Sequence, residues 1–136
     1  MTYIPDKLRD LVYQRARGRC EYCLIHDDDT YKPHEVDHIV AEKHGGQTQE
    51  GNLCLSCFDC NRHKGSDLAS LDPDSGAIVL LFHPRHDTWG GHFTLEGGLI
   101  RPISPQGRAT TRLLDMNNSR RVAERTALGK LRRYPR

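Results

Sequence analysis

Two cysteine pairs constrain this chain more than any other feature: Cys20-Glu21-Tyr22-Cys23 and Cys57-Phe58-Asp59-Cys60. Two intervening residues let both thiolates of a pair turn toward one ion about 2.3 Å away. A pair of the same spacing, Cys54 and Cys57, competes for the downstream half of such a site. Five cysteines in all leave at least one thiol outside any four-sulfur cluster. His26 and His34 lie between the pairs but only duplicate ligands already available. A redox role for the first pair would need a strand running into a helix at the motif, and no such pattern occurs there.

A staple matters because the core is small. The chain has 136 residues, which suits one domain over 1–136, and only 36% of them are hydrophobic. A core of that size commonly leans on a disulfide or a metal. The opening Met1-Thr2-Tyr3-Ile4-Pro5-Asp6 lacks the basic and apolar regions of a signal peptide, and no apolar run reaches transmembrane length. A cytoplasmic location without a membrane partner is therefore expected. In that compartment paired cysteines are metal ligands rather than disulfides, and zinc is the metal such a set selects. The net charge of +2 does not announce nucleic acid by itself. The C-terminal stretch from Arg120 to Arg136 is strongly basic, with six arginines and Lys130 against Glu124 alone.

Residues 5–17 read as a helix started by Pro5 and Asp6 and ended by Gly18. Leu8, Leu11, Val12 and Arg15 recur at helical spacing, and Lys7, Arg9, Arg15 and Arg17 give the helix a basic exposed side. Asp27-Asp28-Asp29-Thr30 reads as a solvated acidic turn. Val36 to Val40 has strand character, Ala41 to Gly51 forms a long loop with a flexible Gly45-Gly46 corner, and Asn52 to Leu55 is a second short strand. A helix over about 59–68 follows. Ala77 to Phe82 is a continuous apolar run that predicts a buried strand. Residues 89–95 and 99–103 flank Glu96-Gly97-Gly98 as a hairpin, and Thr110 to Leu131 reads as one final helix.

Asp37-His38, the Gly-Gly loop, Asn52-Leu53, Cys57-x-x-Cys60, Asn61 and Lys64-Gly65 occur in that order over residues 20–65. The pattern resembles the HNH endonuclease family. The tail from Asp72 to about Thr126 also resembles a widespread bacterial subgroup of that family, through Asp72-Pro73, Leu81-Phe82-His83-Pro84-Arg85, Trp89, His92-Phe93 and Gly107-Arg108-Ala109-Thr110. The resemblance implies an α+β fold. Its core would be a ββα-metal unit (HNH, or His-Me finger) over 20–68, stapled by structural zinc, with a C-terminal β-hairpin and helix extension over 72–131. Family spacing favours Cys20, Cys23, Cys57 and Cys60 as the zinc ligands and leaves Cys54 a buried free thiol.

Hydrolysis of a phosphodiester needs an activated water, a cation against the developing charge, and help for the leaving oxygen. The resemblance makes His38 the general base, a role suited to its near-neutral titration. It makes Asp37 and Asn61 the holders of a catalytic divalent cation. Their hard oxygen donors tilt that cation toward Mg²⁺ or Mn²⁺. Asn61 stands where many relatives carry His, as it does in the HNH domain of RNA-guided effectors. His63, two positions on, is a further candidate for the metal. Asn52 completes the catalytic set as a clamp that bonds backbone across the loop and helps orient His38. Arg62 and Lys64 are expected on phosphate. The implied substrate is DNA, taken as duplex, cut to a 5′-phosphate and a 3′-hydroxyl. A rival of another class is a catalytically silent zinc module that binds nucleic acid or a protein partner. It would have no need to keep Asp37, His38 and Asn61 together.

Overall fold

The computed structural model describes residues 3–136. Met1 and Thr2, part of the expected domain and of the stretch read for a signal peptide, lie outside the described residues. The architecture is mixed α+β. Helix α1 (Asp6–Ala16) starts after Pro5, carries Asp6 in its first turn and stops where Arg17 turns left-handed at φ 56°. It buries Val12 and Ala16 against Ile4, Leu53 and Leu55. Leu11 stays exposed. Arg15 does not belong to the exposed basic side: it is half-buried, and its guanidinium donates to the carbonyls of Glu50 and Leu53. The acidic turn Asp27–Asp29 is likewise not simply solvated. The Asp29 side chain is 4% exposed and pairs with Arg133 at 2.6 Å and Arg136 at 3.4 Å.

Strands β1 (Glu35–His38) and β2 (Leu53–Ser56) pair antiparallel, with Asp37 opposite Cys54 and His38 opposite Leu53. The connecting loop is tight rather than flexible. A Cβ on Gly46 would lie 1.7 Å from the Val40 carbonyl oxygen, so only glycine fits. Helix α2 (Phe58–Lys64) begins on Cys57, whose sulfur accepts from the Cys60 amide at 3.4 Å. It ends at Gly65 (φ 53°), short of the expected residue 68.

The run 77–82 is not a buried strand. Only Ile78–Leu80 (β4) is extended, and it pairs with a strand absent from the sequence reading, Ala69–Leu71 (β3). Ile78 is 77% and Leu80 65% exposed, whereas the next two residues, Leu81 and Phe82, enter the core. The apolar run therefore serves two environments in succession. Strands β5 (Phe93–Glu96) and β6 (Leu99–Pro102) form the expected hairpin.

The expected final helix is two helices, α3 (Pro105–Leu113) and α4 (Ser119–Lys130). Ser104 caps α3 and Pro105 opens it. Asp115 in the left-handed region (φ 50°) ends the turn after Leu113, and the Asn118 side chain caps α4 through the Arg121 amide. Of the apolar residues assigned to the last helix, Leu114 is fully buried but Ala123 is exposed. The buried residues of α4 are Arg121 and Arg125.

The main core gathers the four paired cysteines, Tyr22, Ile39, Cys54, Phe82, Phe93, Ile100, Leu114 and Met116. The C-terminal elements are locked by a buried carboxylate. Asp72, in the β3–β4 turn, accepts both arms of the Arg108 fork at 2.8 and 2.9 Å. This pair, with Ser75 and the Asp74 amide, holds the Asp72 carboxyl well below the ordinary carboxylate range. The folded form is therefore stabilised above the unfolded value near pH 4, and that contribution is lost as pH falls toward the folded value. In acid titrations followed by circular dichroism, the midpoint temperature of wild type is expected to fall more steeply below about pH 4 than that of Asp72→Asn.

Candidate active site and metal centre

The sulfurs of Cys20, Cys23, Cys57 and Cys60 all lie within 4.8 Å of one another, and all four residues are buried. Cys23 Sγ and Cys57 Sγ stand 3.7 Å apart. A tetrahedron of sulfurs about 2.3 Å from zinc has edges of nearly that length. Each pair forms a knuckle in which a backbone amide faces the preceding thiolate: Cys23 N to Cys20 Sγ at 3.5 Å, and Cys60 N to Cys57 Sγ at 3.4 Å. Leu24 closes the first knuckle with a left-handed φ of 69°. Burial first, and then the neighbouring thiols, pushes the Cys60 pKa up. Full ionisation of the cluster therefore needs a cation, and the all-sulfur donor set fits zinc.

Cys54 stands apart from this cluster. It is fully buried, its sulfur lies 3.8 Å from the Tyr22 hydroxyl, and burial pushes its thiol up to about 12.

Sequence reasoning missed Arg121, whose guanidinium approaches Cys60 Sγ at 3.0 Å and Cys57 Sγ at 3.9 Å. Burial alone would lower the Arg121 pKa, but the Cys60, Cys23 and Cys57 sulfurs outweigh it and keep the group charged. The same guanidinium donates to the carbonyls of Leu114 and Asp115, at 2.7 and 3.1 Å. One cation thus fastens the end of α3 to the sulfur cluster. The signal that could have found it is a pair of arginines one helical turn apart, Arg121 and Arg125, among the residues that must face the core.

The hairpin carries the residues expected to do chemistry. Asn52 is 8% exposed and closes the loop from both ends of its amide. Its Oδ1 accepts from the Val40 amide at 2.9 Å, and its Nδ2 donates to the carbonyls of Val40 and Gln47 at 2.9 and 3.0 Å. That arrangement fits the expected clamp, two residues beyond His38. The His38 ring meets Thr48 through Nε2, 2.8 Å from Oγ1. Thr48, a partner the sequence did not single out, therefore helps orient the imidazole from the loop that Asn52 holds.

Asp37 is half-buried, and burial raises its pKa against the opposing pull of Lys64. Lys64 was expected on phosphate. It is instead 3% exposed and donates to the Ile39 carbonyl at 2.9 Å. Its role is to tie α2 to the hairpin and supply positive potential beside Asp37. Arg62 is exposed and lies over the Phe58 ring at 5.7 Å.

Asn61 donates through Nδ2 to Glu35 Oε2 at 2.8 Å. Glu35 shares the Asp37 face of β1 by the period of the strand, so α2 presents Asn61 and Lys64 to that face. Glu35 was not among the expected site residues. His63 turns elsewhere: Nδ1 meets the Asp59 carbonyl at 2.8 Å, and Nε2 faces Asp115 at 3.9 Å. It therefore does not join the hairpin residues. The arginines of the basic C-terminal stretch are also largely engaged within the protein, Arg121 and Arg125 in the interior and Arg120, Arg133 and Arg136 in surface pairs with Asp59, Asp29 and Asp28.

Residues 20–67 match the family model described as HNH endonuclease, so an HNH domain occupies that part of the chain. No curated protein and no solved structure matches the chain.

If Arg121 balances the thiolates, removing its charge loosens the metal without touching a ligand. Arg121→Met is expected to retain zinc roughly 10–100-fold less tightly in competition with a chromogenic chelator. Arg121→Lys should lie between the variant and wild type.

Proposed function

We propose that the chain is a metal-dependent HNH endonuclease that hydrolyses phosphodiester bonds of duplex DNA. Residues 20–68 form its ββα-metal core, and residues 72–131 form an extension within a single domain over 1–136. Four cysteines, Cys20, Cys23, Cys57 and Cys60, hold a structural zinc. The observation that carries this reading is the two-ended Asn52 clamp at the mouth of the hairpin, next to a histidine whose Nε2 is already engaged by Thr48.

In the tautomer that donates through Nε2 to Thr48, His38 has an unprotonated Nδ1, the state a general base needs. His38 Nδ1 then takes a proton from the attacking water. Asp37 and the Asn61 carbonyl oxygen would hold a divalent cation, with the amide nitrogen of Asn61 committed to Glu35. Mg²⁺ or Mn²⁺, if held there, would supply positive charge against the phosphate and the leaving oxygen. Lys64 moderates the field around Asp37 from its buried position. Arg62, exposed on α2, would meet phosphate.

The test is nicking of supercoiled plasmid with Mg²⁺ or Mn²⁺ by wild type and by His38→Ala of matched zinc content. Wild type should cut, and the variant should lose about 10²–10⁴-fold in rate. Equal cutting by both would place the base elsewhere. Nucleic-acid binding without cutting of DNA or RNA would replace the nuclease by a silent zinc module.

A further inference from the structure

A second cavity, of about 170 Å³, opens between α1, the first knuckle and the segment 82–89. It is several times larger than the space of about 30 Å³ that a liquid water occupies. Arg15 and Arg19 line it, and Arg85 stands beside it, paired with Glu21 of the wall. The Nε–H groups of all three are buried without a hydrogen-bond partner among the described residues. Buried donors are ordinarily satisfied, so three orphans of one kind in and beside one cavity are unusual. The rest of the Arg19 guanidinium also makes no hydrogen bond or ion pair among the described residues.

Two carboxylates share the wall, but both are spoken for. Glu21 takes Arg85 on one oxygen and the Leu55 amide on the other at 2.9 Å. Asp87 accepts from the His83 amide at 2.9 Å. With Arg85 neutralising Glu21, the charges left on the wall are Arg15, Arg19 and Asp87, one positive charge in excess. Burial, and then the nearby charge of Arg15, lowers the Arg85 pKa to about 10. Like charges gathered in a half-buried cleft repel unless an anion joins them.

We propose that Arg15 and Arg19, with Arg85 beside them, form a binding pocket for a phosphate group. Guanidinium forks match the geometry of phosphate oxygens, and one tetrahedral oxyanion satisfies several such donors at once. The position gives the pocket a use. Arg15 also reaches the carbonyl of Leu53, the register partner of His38. The pocket thus borders the hairpin end that carries His38, from the side of α1. A strand phosphate bound there would fix the register of nucleic acid against the hairpin. That source of the phosphate rests on the nuclease reading above; the pocket itself does not.

Arg19 is the residue to change, because no other group among the described residues depends on its guanidinium. The zinc-loaded full chain is titrated with inorganic phosphate while the arginine Nε–H resonances are followed by NMR. In parallel, the affinity for short duplexes of unrelated sequence is measured against salt, without divalent cation, for wild type and Arg19→Ala. The expected result is saturable shifts of the Arg15, Arg19 and Arg85 resonances. Arg19→Ala should bind every duplex several-fold more weakly, with a log–log salt slope smaller by about 1. Resonance shifts with unaltered duplex binding support a pocket for free phosphate and overturn its use on a strand. If no resonance shifts and Arg19→Ala binds duplex as wild type does, the pocket is overturned. If wild type binds no nucleic acid, the nuclease reading fails, and the phosphate titration alone decides the pocket.

Discussion

Four buried sulfurs within 4.8 Å of one another are the constraint on which the rest of the molecule depends. Without a cation they are a liability, since ionised thiolates repel and buried ones lack water. With a metal they form a joint. The first knuckle joins α1 to the hairpin approach, and the second joins β2 to α2. The C-terminal elements are drawn to the same point from outside the motif. Arg121 reaches Cys60 from α4, and the Tyr134 hydroxyl donates to the Cys23 carbonyl at 2.7 Å. The extension is thus built onto the metal centre, and the aromatic core of Phe82 and Phe93 fills the space between them.

That arrangement explains residues that looked merely conspicuous in the sequence. Asp72 and Arg108 meet as a bidentate pair across the extension. Thr110 accepts the Phe82 amide at 2.9 Å, where the apolar run turns inward. Gly107 lies so close to the His92 carbonyl that an added Cβ would sit 2.2 Å from its oxygen. Arg85 reaches back to Glu21 inside the first knuckle. Each fixes one segment of the extension on another or on the zinc-binding half.

What could be read in the sequence was whatever is local. Cysteine spacing is local, and so is the amide of Asn52 facing a loop of fixed length. The β5–β6 hairpin announces itself through Gly97-Gly98. The misreadings share one physical origin, which is that polarity does not report burial when a partner lies far along the chain. Lys64 looked like a surface cation, yet Ile39 supplies an acceptor and Asp37 a compensating charge. Arg121 and Arg125 looked like a basic face, yet the sulfurs and the carbonyls at the end of α3 satisfy them in the interior. The opposite error occurred at Ile78 and Leu80, apolar residues that a short two-stranded sheet leaves outside. The split between α3 and α4 was legible in principle, from Asn118 placed to cap a new helix, but the apolar spacing bridged it.

One metal joint is held to fasten the β1–β2 hairpin and the C-terminal helices together. Amide hydrogen exchange across the chain, before and after chelation of zinc, tests it most directly. The account predicts that residues 35–56 and 119–130 lose protection together once the metal is removed. Loss confined to the two knuckles, with the hairpin and α4 still protected, would contradict it.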